Sequence, residues 1–389
     1  MFARRSYDVL VVGARCAGAA TAMLLARRGL RVLCIDRGHY GADTVSTHAL
    51  AQGGVLQLRR WGLLPRIAAE TPAIRRAAIH YGDDRVEVAQ PGPGSDALFA
   101  PRRSLLDRVL VDAAREAGAE VRHGCCLVEL LRRADGRVTG AVILDGAGRR
   151  AGIAAGLVVG ADGLGSAVVR LTGAPVLRQG LHASAILYDH WAGLRAEGLG
   201  RYWREGVSAG AIPTSDGRHC VFAALPAARL RAGAGEGSAA LYRRVLAACA
   251  PALAKALAGA RPEGRLTVFG GRRGTLRQAH GPGWALVGDA AGFTDPLALH
   301  GMTGALRDAE LLARAAARGS AAAFAGYAAA RDALSLPLLA AGDAIASFAW
   351  SLETLPAQHR ALDRAMRVEA EHLLALDPTP AAWRQERAA

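Results

Sequence analysis

Lysine is almost missing from this chain: Lys255 is the only one in 389 residues, although Lys+Arg 48 against Asp+Glu 34 leave a formal net charge of +14. The positive charge is therefore arginine, spread along the whole length. No basic block with interleaved aromatics is present, so nucleic acid is not an expected partner. A phosphorylated cofactor, or a substrate carried on an acidic partner, fits the charge equally well. The cysteines (Cys16, Cys34, Cys125, Cys126, Cys220, Cys249) include no Cys-x-x-Cys pair and no His–Cys cluster at ligand spacing. No metal site is expected, and a reduced, cytoplasmic setting is. No apolar run reaches the length of a membrane span, so stable membrane insertion is not expected. Alanine-rich stretches such as Ala321–Ala330 suit close-packed helices instead. Repeats and long low-complexity linkers are lacking too. A 51% hydrophobic chain of this length can hold two domains, or one large α/β domain with an insertion.

What is present begins with DVLVVGARCAGAATAMLLARRGLRVLCID, residues 8–36. Tyr7–Val12 reads as a buried strand, Ala17–Gly29 as a helix stopped by Gly29, and Leu30–Ile35 as a second strand closed by Asp36. This is the outline of a dinucleotide-binding unit, with one glycine missing. Gly13 and Gly18 hold the first and third places of Gly-x-Gly-x-x-Gly, and Arg15 stands in the second. Gly13 permits the tight turn and Gly18 close helix–strand packing. The helix start, with Cys16 and Ala17, still offers N–H groups to a pyrophosphate. Arg15 is a tolerated change that adds a side chain able to pair with a phosphate. Asp36 stands where an acid accepts hydrogen bonds from a ribose, with Arg37 beside it. Arg4 and Arg5 before an apolar run mimic a secretory signal, but Asp8 and Arg15 interrupt it.

Two later segments have the same form. In LVVGADGLGSAVVR, residues 157–170, a strand runs into Asp162-Gly163 and a helix follows. In WALVGDAAGFTDPLALHGMTGALRDAELLA, residues 284–313, the strand Ala285–Val287 runs into Gly288-Asp289, Pro296 is a stop, and a helix starts near Gly301. Three strand-end Gly/Asp turns would meet at the carboxyl edge of one parallel sheet, where α/β folds bind ligands.

This ordered trio, over about residues 7–330, resembles the FAD-binding scaffold of the p-hydroxybenzoate hydroxylase-type flavoprotein monooxygenases. Geranylgeranyl reductase-type enzymes and flavin-dependent halogenases share that scaffold. The resemblance implies a pyrophosphate site at Gly13–Gly18 and a ribose contact at Asp36. It places Arg103 on the ribityl–phosphate arm and the Leu127 backbone near the adenine. It gives Asp162-Gly163 to both FAD and the nicotinamide, and Asp289 to the ribityl chain. It further implies that the helix opened by Gly301, Met302 and Thr303 points at the flavin. The letters there depart from the family's usual His, Pro-Pro and Gly-x-x-Gly-x-Asn. This chain has Gly292, Asp295-Pro296 and Ala298-Leu299-His300-Gly301-Met302-Thr303, with Asp308 later on the helix.

The expected architecture is α/β: a Rossmann-like FAD-binding domain split in sequence (1–70, 101–175 and 280–330), a sheet-based substrate domain (71–100 and 176–279) and a helical C-terminal segment (331–389) with breaks at Pro337, Pro356 and Pro378. The resemblance implies an oxidoreductase in which NADPH or NADH reduces FAD, O2 adds at flavin C4a and one oxygen passes to a small, aromatic secondary metabolite. His48 and His300 are the candidate bases, because histidine can take a phenol's proton near neutral pH. His182, His190, Tyr202 and Trp203 are candidates for the pocket wall. A reductase or dehydrogenase acting on an alkene is the rival reading, and a flavin-binding protein without turnover a third. The halogenase reading lacks a Trp-x-Trp-x-Ile-Pro segment and a well-placed lysine. Monomer and homodimer stay open.

Overall fold

The computed structural model describes residues 5–46, 49–89, 92, 95–196, 198–232, 235 and 237–376. In chain order the first unit is β1 (Arg5–Val12), α1 (Cys16–Arg27) and β2 (Val32–Asp36). Then come α2 (Gln52–Arg60), α3 (Leu64–Ala68), the hairpin β3 (Arg76–Tyr81) and β4 (Asp84–Ala89), α4 (Arg103–Glu116) and β5 (Glu120–His123). A meander follows: β6 (Cys126–Arg132), β7 (Val138–Leu144) and β8 (Arg150–Gly160), leading to α5 (Ala167–Thr172) and β9 (Val176–Gln179). The middle of the chain gives β10 (Ser184–Ala192), β11 (Leu199–Arg204), β12 (Val207–Pro213) and β13 (Arg218–Pro226), then α6 (Ala227–Ala232), α7 (Ser238–Cys249) and α8 (Pro251–Ala256). Short strands β14 (Arg261–Pro262), β15 (Thr267–Phe269), β16 (Thr275–Arg277), β17 (His280–Gly281), β18 (Trp284–Leu286) and β19 (Gly292–Phe293) precede the helices α9 (Gly301–Arg318), α10 (Ala321–Ala346) and α11 (Leu355–Ala375).

The first sheet is parallel in the order β18-β8-β1-β2-β5, with β17 antiparallel at one edge and β7 and β6 folded back antiparallel from β8. Its central strands are apolar on both faces because both are covered. Val9 and Val11 pack under α1, while Leu10 and Val12 pack with Ile143 and Val158. The parallel order brings the ends of β1, β2, β8 and β18 to one edge. Two glycines allow the close packing there. A Cβ on Gly13 (φ 102°) would sit 2.4 Å from the Ala161 carbonyl oxygen, and one on Gly18 would sit 1.7 Å from the Gly13 carbonyl oxygen.

The second sheet runs β14-β10-β13-β12-β11-β3-β4, antiparallel except at β11–β3, with β15 also on β10. Residues 71–100, the first piece of the expected sheet-based domain, contribute the hairpin β3–β4, turned at Gly82 (φ 65°). Alternation gives the sheet two faces. Ala185, Leu187, Ala209 and Val221 pack on Leu241, Tyr242 and Val245 of α7. Ile186, Tyr188, Phe222 and Trp203 pack toward Leu297, Ala298 and the C-terminal helices. Tyr202 therefore belongs to the α7 face, stacked on His80 at 4.4 Å. It is not a wall of the cavity described below.

Pro337 does not break the chain; α10 runs through it. The ring removes a hydrogen bond to the Ala333 carbonyl. Ala333 and Pro337 are both exposed, where water can replace it, while Leu334, Leu338 and Leu339 anchor the opposite side. Pro356 stands in the first turn of α11, a favoured place for proline. Pro378 lies outside the described residues. No described helix is long and apolar enough to cross a membrane.

Gly18→Ala is expected to destabilise the FAD-free protein by at least about 2 kcal/mol, because backbone must move to admit the methyl. Gly29→Ala meets nothing within 4 Å and should cost only the left-handed backbone penalty of about 1 kcal/mol at its φ of 77°. Urea melts of the two variants check the order; equal losses would refute the close-packing role.

Candidate functional site

A cavity of about 680 Å³ lies between the carboxyl edge of the parallel sheet and the second sheet. Gly13, Arg15, Cys16, Ala17, Asp36, Arg37, Arg103, Leu127, Asp162, Gly163 and Asp289 line one side, and Pro296, His300, Gly301 and Met302 close one end. Ile186, Tyr188, Phe269, Phe293 and Leu299 face them. The structure thus gathers most of the residues singled out from sequence. Gly18 and Gly288 do not reach the cavity; they sit behind the wall, where a Cβ on Gly288 would lie 2.8 Å from the Ala17 Cβ. Thr303 is turned away too: its hydroxyl accepts from the Ala51 N–H at 3.0 Å and joins α9 to α2. His48 lies outside the described residues.

Two helix starts open on this space. Arg15 precedes α1 with an extended backbone (φ −88°, ψ −166°), a conformation that does not require glycine. The first helical bond runs from Ala19 N–H to the Arg15 carbonyl, so the N–H groups of Cys16, Ala17 and Gly18 have no partner in the helix. Likewise Gly304 N–H bonds to the His300 carbonyl, leaving those of Gly301, Met302 and Thr303. The positive ends of both helices favour anionic groups in the cavity. Arg15 Nη1 is buried with no partner among the described residues. This orphaned cationic nitrogen on the wall fits a phosphate.

The acids differ in what they do. Asp36 accepts from Ala14 N–H and Gly38 N–H, each at 2.7 Å, so it shapes the turn while facing the cavity. Asp162 is engaged locally, accepting from the Ser166 hydroxyl and, at 2.6 Å, from Ala167 N–H; it caps α5 rather than pointing a free carboxylate at a ligand. Asp289 accepts no hydrogen bond from the described residues, and its Oδ1 lies 3.9 Å from where a Cβ on Gly301 would be. Burial pushes its carboxyl up to about 6, Arg103 opposes and Asp308 adds to the rise. Arg103 is held by Asp107 through contacts of 3.1–3.2 Å and is almost fully buried, not a surface charge. Cys16 lines the cavity, but burial pushes its thiol up to about 12, which suits packing and not thiolate chemistry.

His300 is not a free base. Its Nε2 lies 2.6 Å from Glu369 Oε2, and Glu369 Oε1 takes Arg307 Nη1 at 2.8 Å. Arg307 also bonds Asp308, whose Oδ2 accepts from Gly288 N–H at 3.1 Å. Burial alone would raise the Glu369 carboxyl; His300 and Arg307 outweigh it and hold it below its usual range. The network runs from α11 to the Gly288-Asp289 turn. Asp295 makes a similar tie to the second sheet, accepting from the Ser184 hydroxyl at 2.6 Å and Ser184 N–H at 2.8 Å. Neither Glu369 nor Asp295 was singled out from sequence, nor were Ile186, Tyr188 and Phe269 as cavity walls. The alternation of β10 put Ile186 and Tyr188 on one face, but nothing in it said which face. His182 and His190 do not line the cavity, and Trp203 is buried beyond it.

The model of the FAD binding domain family matches residues 6–324. This chain belongs to that family. It is a flavoprotein enzyme, and FAD is its cofactor. Menaquinone reductase of Mycolicibacterium smegmatis is 33% identical over 181 residues, 46% of this chain and 43% of that protein. Digeranylgeranylglycerophospholipid reductase 2 of Methanothermobacter thermautotrophicus is 32% identical over 169 residues, 43% of this chain and 42% of its own length. The chain spans less than half the length of these curated relatives. The flavin-dependent brominase Bmp2 superposes with a TM-score of 0.80 at 18% identity, over 99% of this chain and 98% of its own. For pqsL, a probable FAD-dependent monooxygenase from Pseudomonas aeruginosa, the TM-score is 0.76 at 21% identity, over 92% of this chain and 100% of its own. At those identities the likeness is one of fold.

In the flavoprotein without FAD, the Asp289 carboxyl takes its proton near about 6 when folded, against about 3.9 when unfolded. The stability tied to it is therefore full below about 4 and lost as pH rises through about 6. Asp289→Asn should raise Tm more at pH 7.5 than at pH 5 in thermal melts; an equal change at both would show that no proton is taken up there. Asp289→Ala is expected to weaken FAD at least about tenfold in fluorescence titrations, the loss of a charge-assisted bond. An unchanged affinity would remove Asp289 from the site.

Proposed function

We propose that this flavoprotein is an NADPH- or NADH-dependent monooxygenase that hydroxylates a small aromatic metabolite with O2. The observation that carries this reading is the wall facing the two helix starts. Ile186, Tyr188, Phe269, Phe293 and Leu299 make a largely apolar surface suited to an aromatic ring. Lysine is absent from the lining, and Lys255 lies on exposed α8. An amine-assisted halogenation is therefore not favoured.

Bound FAD would supply the redox chemistry between the reduced nicotinamide and O2. The residues of this chain would bind and orient. Arg15 and the start of α1 hold the pyrophosphate, Asp36 a ribose, Asp289 the ribityl hydroxyls, and Arg103 lends positive charge beside them. The start of α9 stabilises negative charge at the end of the cavity between Asp289 and Pro296. Tyr188, whose oxygen accepts from Ser46 N–H at 3.0 Å, is kept neutral by burial and orients a polar substituent. With His300 bound to Glu369, His48 becomes the candidate base.

A second reading is reduction of an alkene, which the identities above 30% with two reductases favour. Anaerobic NADPH addition followed by air separates the two. Bleaching of the flavin bands by NADPH, with recovery and peroxide release in air, is the expected result. A flavin that stays oxidised with NADPH and every aromatic substrate tried, but passes electrons to or from an alkene, would overturn the monooxygenase reading in favour of the reductase.

A further inference from the structure

Among the described residues, Asp216, Leu299 and Phe348 are the non-glycine positions with positive φ. Aspartate enters this left-handed region more readily than most side chains, and Asp216 does so in the turn between β12 and β13. A leucine there loses about tenfold in the folding equilibrium, because its Cβ crowds the carbonyl that follows. Phe348 is buried in the core beside Trp350. Leu299 alone of the three lines the cavity.

Leu299 is held in this conformation from both sides. Pro296–Ala298 form a single tight helical turn, with Ala298 N–H on the Asp295 carbonyl and Leu299 N–H on the Pro296 carbonyl. The helix α9 then starts at Gly301. Leu299, at φ 53° and ψ 32°, is the joint between the two. Before it, Asp295 is tied to Ser184 of β10, and the Leu297 carbonyl accepts from Arg201 Nη2 at 2.8 Å. After it, His300 is bound to Glu369 of α11. A left-handed joint that ends a helical turn is the usual place for glycine. This chain bears the strain and keeps a side chain instead. Such strain persists where the surroundings over-determine it, and it clusters at sites of use.

The position of Leu299 says what that use is. It packs against the core cluster that contains Ile186, Tyr188 and Leu297. It also lies on the cavity wall, where the apolar surface meets the start of α9. A bound FAD would take up most of a cavity of about 680 Å³, so little room remains for a substrate. One branched side chain at that end then decides the size of what fits. Leucine offers no polar group, so it selects by shape alone.

We propose that Leu299 is a specificity-determining residue, which admits a single aromatic ring beside the start of α9 and excludes a fused pair of rings. The inference deepens the monooxygenase reading and rests on it for the aromatic class of substrate. The FAD-loaded wild type, Leu299→Ala and Leu299→Gly are titrated with phenol and with naphthol, following flavin absorbance. Both variants should gain at least about tenfold in affinity for naphthol relative to phenol, the scale on which apolar pockets discriminate by size. A side chain with a packing role only would change both affinities together and leave their ratio as it was. Without ligand, urea melts should find Leu299→Gly several-fold more favoured in its folding equilibrium than Leu299→Ala. Both lose the same contacts, but only glycine is relieved of the strain. An unchanged ratio in both variants, a glycine variant no more stable than the alanine one, or a flavin spectrum that neither probe moves in any of the three proteins would each overturn the proposal. If the ratio shifts but NADPH and air yield no hydroxylated product, Leu299 keeps its role and the monooxygenase reading falls. If product forms and the ratio is unchanged, the monooxygenase reading stands and the role of Leu299 falls.

Discussion

Arg307 ties α11 to the edge of the cavity. Its guanidinium is buried between Asp308, one residue on, and Glu369, brought in from the last helix; through them it reaches His300 and the Gly288 N–H. A charge cluster this deep is costly to assemble and more costly to break, because removing one partner strands the others out of water. α11 therefore braces the start of α9 and, through Arg307 and Asp308, the Gly288-Asp289 turn. The family match ends at residue 324, yet the edge that faces the cofactor is braced by residue 369.

The second constraint is distance. The parallel sheet gathers its turns only because Gly13 and Gly18 let backbone touch backbone, and the missing middle glycine costs nothing of that kind. Arg15 has an extended backbone and lines the cavity with a cationic side chain, one nitrogen of which has no partner among the described residues. The division of labour among the acids follows the same logic. Asp162 and Asp295 spend their oxygens on protein N–H and O–H groups and act as ties; Asp289, with no donor from the described residues, is left for a ligand.

The cofactor and substrate sides of the cavity differ in kind. One is backbone amides and charges at strand ends and helix starts. The other is a sheet face that presents Ile186 and Tyr188, with Leu299 on the same wall. Under the proposed function the first side would hold the flavin and the second would choose the substrate; proteins of this fold carry names as different as reductase, brominase and monooxygenase.

The three Gly/Asp turns and the first β-α-β unit were legible in the sequence because they are local: a strand, a turn and a helix start within a few residues define each of them, and the parallel order only had to bring them side by side. Pro337 misled for the same local reason, since only packing shows that its freed carbonyl faces water. His300 looked available until α11 supplied Glu369, 69 residues away. The face that β10 presents, the tie from Asp295 to Ser184 and the left-handed backbone of Leu299 likewise depend on which surface meets which. By itself the sequence determined the turns of the cofactor edge, because they are built from backbone geometry at short range. The tertiary structure decided the pairing of His300, the braces and the apolar wall, because those depend on side chains brought together from distant segments and on which of them are sealed from water.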